Sequence, residues 1–147
     1  MDQTDCKLIL GGPIVECGEA KKENFKKLLK RERVSYLGNV ERSDLYDELE
    51  KIDICMIPYI CDFKGQHQFA IKFFEYLSAG KPIVATPYFE WPETYGKFVN
   101  IYNNEKLENF LCSVYSKWNK ESFDDAISLA GQSTWNQRVQ QISKIIS

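Results

Sequence analysis

The sequence predicts an α/β domain built on a mostly parallel sheet, and two features of the chain predict it. Five short apolar runs, Leu8 to Leu10, Val34 to Leu37, Ile52 to Ile57, Pro82 to Ala85 and Phe98 to Tyr102, alternate with amphipathic stretches, the order expected of successive βα units. Most of these runs end in a turn signal: Gly11-Gly12-Pro13, Gly38-Asn39, Pro58, Pro87 and Asn103-Asn104.

Between the runs, Phe25, Leu28 and Leu29 share one helical face, as do Leu45, Leu49 and Ile52, with charges opposite, which reads as two crossover helices. The last third changes character. Leu107, Phe110, Leu111, Val114 and Trp118 recur at helical spacing, and Trp135, Val139, Ile142 and Ile146 do so again, so two or three helices are expected to close the domain. Thr134 with Gln137 three residues on resembles a capping box and predicts a helix start there. With no internal repeat or linker, the 147 residues read as a single domain, 1–147.

Composition narrows the function. The chain is 44% hydrophobic and 27% charged, with a formal charge of -2, so it has no basic field for a phosphate backbone and nucleic acid is not an expected partner. Cys6, Cys17, Cys55, Cys61 and Cys112 are odd in number and form no C-x-x-C pair, which argues for reduced cytoplasmic thiols over a disulfide framework or zinc knuckle. Cys55, inside an apolar run, reads as a core residue. No apolar stretch approaches the ~18 residues of a membrane span, and Met-Asp-Gln-Thr-Asp at the start is not the basic region of a signal peptide. Only a few polar residues precede the first strand, as though the chain began partway through a larger fold.

The segment QHQFAIKFFEYLSAGKPIVAT, residues 66 to 86, carries most of the functional information. A helix is expected to start near Phe69, with Phe69, Phe73 and Leu77 on one face against the sheet, ending at Ala79-Gly80 before Pro82 opens the next strand. A helix start presents unpaired N–H groups, so the Phe69 to Ile71 turn is a candidate cradle for a diphosphate. Lys72 would add a charge-assisted phosphate contact, and Glu75 would read a ribose diol. On spacing alone, Lys72 and Glu75 read first as a solvated ion pair.

This segment resembles the donor-site signature of GT-B glycosyltransferases, especially the GT4-like group, roughly E-x-F-G-x-x-x-x-E-A/Y-x-A-x-G-x-P-V-V-A-T. Glu75, Gly80, Pro82, Val84, Ala85 and Thr86 match it. Upstream, VSYLGNVERSDLYDELEKIDICMIPY resembles another motif of that family, with Leu37, Gly38, Val40, Leu45, Asp53 and Pro58 in register, and Ser133 to Val139 resembles its closing helix. The resemblance covers residues 7 to 146 and implies a Rossmann-like parallel sheet flanked by helices, the C-terminal half of a GT-B fold. It implies that Glu75 holds the ribose and that His67, Gln68, Phe69, Ala70, Ile71 and Lys72 surround the diphosphate and sugar. Gly38, Asn39 and Val40, with the loop at Pro58 and Tyr59, would line the base pocket. No residue is assigned a catalytic role.

Two departures follow. The first acid of the family's E-x7-E pair falls on His67, which alters the sugar preferred. The family's preceding βα unit, with the Arg and Lys that neutralise the diphosphate, and its acceptor domain would precede Lys7, so this chain alone is expected to bind weakly and to be inactive. The expected function is therefore donor binding in an enzyme passing a hexose from a UDP- or GDP-type sugar to a glycan or lipid-linked acceptor. The alternative is a non-catalytic nucleotide-binding or interaction module with a decayed site, kept open by His67. Asp53 lacks the acidic neighbours of a flavodoxin-like regulatory domain. Gly11-Gly12-Pro13 reads as a tight turn. Glu90 and Glu93 either face the sugar or sit on a loop pinned by Trp91-Pro92. No metal or cofactor is expected, since no D-x-D pair of the kind that holds a metal diphosphate is present. The partners are the donor and the amino-terminal acceptor domain. Localisation is cytoplasmic, at the inner membrane face if the whole enzyme builds cell-envelope polysaccharide.

Overall fold

All strand pairings in the protein's structure, a computed structural model describing residues 6–14, 19–59, 71–87 and 90–146, are parallel. Parallel neighbours need a crossover between them, and the amphipathic stretches of the sequence supply it. The chain divides into two compact units, Met1–Asp47 and Glu48–Ser147.

In the first unit, β1 (Leu8–Leu10) lies beside β2 (Val34–Tyr36), with Leu8 opposite Val34 and Leu10 opposite Tyr36. Their crossover is α1 (Glu19–Leu29), acidic in its first turn and basic in its last, as the helix dipole favours. The predicted face of α1 is the one turned inward: Leu28 and Leu29 are partly buried, and the Phe25 ring meets Tyr36 edge-on at 5.4 Å. Helix α2 (Leu45–Glu50) follows and runs from the end of the first unit into the second, with Leu49 buried. The run from Ile52 does not become strand until Cys55, because Ile52 N–H bonds to the Leu49 carbonyl at 3.1 Å and closes α2.

The second unit holds β3 (Cys55–Ile57), α3 (Lys72–Ser78), β4 (Ile83–Ala85), α4 (Glu93–Gly96), β5 (Val99–Ile101), α5 (Leu107–Lys117), α6 (Lys120–Gln132) and α7 (Trp135–Ile146). The strand order is β3-β4-β5. Central β4 is buried at all three positions, which is why its sequence is continuously apolar instead of alternating. Ile57, Ile83, Ala85 and Val99 form one core cluster with Phe73 and Leu77 of α3 and Ala126 of α6. Phe73 and Leu77 are 0% exposed, a burial that stabilises by roughly 1.5–3 kcal/mol per side chain.

What orients α3 is its carboxyl end. Gly80 has φ +65°; its N–H bonds to the Leu77 carbonyl at 2.9 Å, and the Lys81 N–H to the Tyr76 carbonyl at 3.1 Å. This is a Schellman closure, which needs a left-handed residue at that position. A Cβ on Gly80 would sit 2.3 Å from the Phe123 ring of α6, and the Trp118 indole N–H bonds to the Gly80 carbonyl at 3.0 Å. Helix α6 is itself started by Asn119, whose side chain accepts from Ser122 N–H at 2.9 Å.

Helix α7 begins where the capping signal places it, with Thr134 Oγ1 accepting from Gln137 N–H at 3.4 Å. The reciprocal half of the box is not made, because Gln137 Oε1 is buried without a hydrogen-bond partner among the described residues. Its apolar stripe does not close the domain as the periodicity implies: Trp135, Val139 and Ile142 are 79%, 59% and 58% exposed. The period of a stripe defines a face and does not supply a surface to cover it.

Gly80→Ala combines a left-handed non-glycine residue with a clash against Phe123, and a loss of about 2–4 kcal/mol is expected in urea unfolding. Trp118→Phe leaves the Gly80 carbonyl without its donor and should cost about 1–3 kcal/mol by the same measurement.

Candidate functional site

In a parallel sheet with helical crossovers, each helix starts at the end where the strands finish, and ligands are taken there. In the second unit that edge is formed by Pro58 and Tyr59 after β3, Thr86 and Pro87 after β4, and the start of α3. Thr86 ties the first two together: its N–H bonds to the Ile57 carbonyl at 3.3 Å and its hydroxyl to the Tyr59 carbonyl. Pro58 is exposed, whereas Tyr59 is half-buried and packs on the core cluster.

Helix α3 carries the predicted charged pair. Ile71 is exposed with helical dihedrals, φ -54° and ψ -36°, and among the described residues no side chain caps the helix start. Lys72 is exposed and Glu75 half-buried. No ion pair joins them among the described residues, so the exposed-pair reading of this spacing does not hold. The Glu75 backbone carbonyl is occupied, accepting from Ser78 Oγ at 2.8 Å and Ala79 N–H at 3.2 Å. His67, Gln68, Phe69 and Ala70, the other residues assigned to the diphosphate and sugar, lie outside the described residues, as do Cys17 and Cys61.

In the first unit the carboxyl ends of β1 and β2 are bound to each other. Leu37 N–H reaches the Leu10 carbonyl at 2.9 Å, Gly12 N–H reaches the Gly38 carbonyl at 2.8 Å, and the Tyr36 hydroxyl donates to the Gly12 carbonyl at 2.7 Å. Gly12 and Gly38 both have positive φ, +124° and +73°. The tight-turn reading of Gly11-Gly12-Pro13 is the one the geometry supports, and the same bonds hold the turn formed by Gly38, Asn39 and Val40. Asn39 Nδ2 already donates to Glu41 Oε1 at 3.3 Å.

The loop after β4 is held by packing. Trp91 lies 5.1 Å from Phe73 and belongs to the layer around the core, and the Pro92 carbonyl starts α4 by accepting from Tyr95 and Gly96 N–H, both at 2.8 Å. The loop is pinned as Trp91-Pro92 implied, with Glu90 and Glu93 exposed. The Tyr59–Thr86 bond was not legible, because Thr86 also reads as the end of an apolar strand. Among the described residues no group of three His, Cys, Asp or Glu could hold a metal ion, and no helix is long and apolar enough to cross a membrane.

Two groups of the second unit are shifted upward by burial. Burial pushes the Cys55 thiol up from 9.0 to about 12, against a smaller opposing effect of Lys81. Tyr76 rises from 10.0 to about 12, chiefly through burial and then through Cys55, Glu75 and Tyr59. Both stay neutral at physiological pH and are inert as nucleophile or base.

Parallel sheets flanked by helices make a Rossmann-like fold that matches one half of a GT-B glycosyltransferase. The structure is similar to that of AviGT4, a glycosyltransferase involved in avilamycin A biosynthesis, with a TM-score of 0.63 and 18% identity over 90% of this chain and 42% of AviGT4. Residues 2–117 match the Glycosyl transferases group 1 family, and the chain belongs to that family. It is also 31% identical over 86 residues to TuaH of Bacillus subtilis (strain 168), a glycosyltransferase named for teichuronic acid biosynthesis, a match covering 58% of this chain and 21% of TuaH. The chain thus spans less than half of AviGT4 and about a fifth of TuaH.

A buried thiol and phenol whose folded-state pKa values are raised stabilise the fold fully below their unfolded values, and that stability is lost as pH rises toward about 12. Above pH ~9, urea unfolding should show stability falling with pH, with Cys55 supplying up to about 1.4 kcal/mol per pH unit. Cys55→Ala should remove that part of the slope.

Proposed function

We propose that this chain is the donor-binding part of a glycosyltransferase that passes a hexose from a nucleotide-diphosphate sugar to a glycan or lipid-linked acceptor. The observation that carries the reading is Glu75: a half-buried carboxylate on α3, at the ligand edge of the sheet, not paired with the lysine three residues before it. A carboxylate so placed accepts two hydrogen bonds from a ribose diol, and charge-assisted bonds of that kind are about twice as strong as neutral ones. Lys72 and the uncapped start of α3 meet the diphosphate. Membership of the Glycosyl transferases group 1 family supports the same assignment.

In this reading the donor is a substrate, and no cofactor or metal is involved. A separate amino-terminal domain holds the acceptor, and closure over the donor aligns the reacting groups and excludes water. GT4-like membership, a UDP- or GDP-sugar, and a cytoplasmic site at the inner membrane face in polysaccharide biosynthesis belong to this proposal. A second reading rests on His67, which stands where the family's motif has an acid: a nucleotide-binding or interaction module that no longer holds a donor sugar.

The test is an NMR titration of the chain with UDP, GDP and ADP. One nucleoside diphosphate should shift the amides of Ile71 to Glu75 with an affinity on the order of 1 mM, about -4 kcal/mol. Glu75→Ala should weaken binding by about 1 kcal/mol or more. If no nucleotide moves those amides at several millimolar, the donor-binding reading fails.

A further inference from the structure

The formal charge of -2 hides an uneven distribution. Residues 24–34 hold five cations, Lys26, Lys27, Lys30, Arg31 and Arg33, against one carboxylate, Glu32. Lys26, Lys27, Lys30 and Arg31 are exposed, and Arg33 is half-buried. The first half of α1 is balanced differently: Glu19 pairs with Lys22 at 3.2 Å, and Glu23 reaches Lys27 at 4.0 Å. No ion pair holds Lys26, Lys30 or Arg31 among the described residues.

The local fold keeps these cations together. Arg31 N–H bonds to the Leu28 carbonyl at 3.1 Å and Val34 N–H to the Arg31 carbonyl at 3.1 Å, so the chain turns tightly at the end of α1. Lys26 and Lys30 stand four residues apart, as do Lys27 and Arg31, a spacing at which like charges repel along a helical turn. The helix dipole accounts for a cation in the last turn. It does not account for two repulsive pairs. A cluster that costs the fold some stability and lacks internal partners is suited to an external anion. No aromatic ring stands among the cations to stack a base, since Phe25 is turned onto Tyr36, whereas a surface of anionic headgroups asks only for clustered charge.

We propose that Lys26, Lys27, Lys30 and Arg31 form a docking surface for an anionic lipid bilayer. The assignment deepens the membrane-face part of the function proposed above and involves no residue of the donor site.

Flotation of the chain, without nucleotide, on vesicles of phosphatidylcholine alone or mixed equally with phosphatidylglycerol tests it. Binding should be at least roughly tenfold stronger to the mixed vesicles. It should be released as salt is raised from about 0.1 M to about 1 M, which shortens the Debye length from about 10 Å to about 3 Å. Lys26→Gln/Lys30→Gln should weaken binding roughly tenfold or more, with thermal stability unchanged or slightly raised because a like-charge pair is relieved. Glu32→Gln removes the one carboxylate and should strengthen binding. Lys106→Gln/Lys117→Gln makes the same change in net charge on α5 and should stay within about twofold of wild type. Equal binding to neutral vesicles overturns the assignment, as does an α1 double variant no weaker than the α5 one. Equal or tighter binding to single-stranded DNA overturns it in favour of a general polyanion site. If wild type ignores the mixed vesicles while a nucleotide shifts the α3 amides, this proposal falls and the donor-binding reading stands.

Discussion

Between α3 and β4 the chain reverses at Gly80, and three constraints meet there. The backbone is left-handed, with φ +65°; the Phe123 ring of α6 occupies the space a Cβ would need; and the Trp118 indole holds the carbonyl. Only glycine satisfies the first two together. The direction of α3 follows from this closure. Phe73 and Leu77 then meet Ile57, Ile83 and Ala85 from one side, with Ala126 of α6 in the same cluster.

The placement of Glu75 follows as well. On a helix of seven residues whose inward positions are Phe73 and Leu77, position 75 is turned away from the core centre and stays half-buried at its margin. A carboxylate at such a margin is partly shielded from water and still reachable, a setting in which hydrogen bonds from a diol count for more than they would in bulk solvent. The interior behind it is chemically quiet, because desolvation keeps Cys55 and Tyr76 neutral.

The likeness to AviGT4 at 18% identity shows how little of this fold depends on particular side chains. The apolar content of central β4, the reversal at Gly80 and the parallel register are the features that shape the β3–β4–β5 sheet here. Thr86 differs from these, since its methyl suits the strand while its hydroxyl does something strand propensity does not require.

Much was determined by local pattern alone. All five apolar runs contain the strands found, the faces led by Phe25, Leu49, Phe73 and Val114 are the ones turned inward, and Thr134 starts the last helix. These features are legible because side-chain period and capping chemistry act over a few residues. Other features were open to more than one reading or join residues far apart in the chain, and only the three-dimensional structure decided them. Ile52 fitted both a helix face and a strand run, and a bond to Leu49 decided it. Lys72 and Glu75 had the spacing of an ion pair and did not form one. The Gly80–Phe123, Trp118–Gly80 and Thr86–Tyr59 contacts bridge dozens of residues, and no window of sequence holds both partners. The stripe of α7 was legible as a face, but whether a face is covered depends on what lies against it, and a one-dimensional pattern carries no record of that.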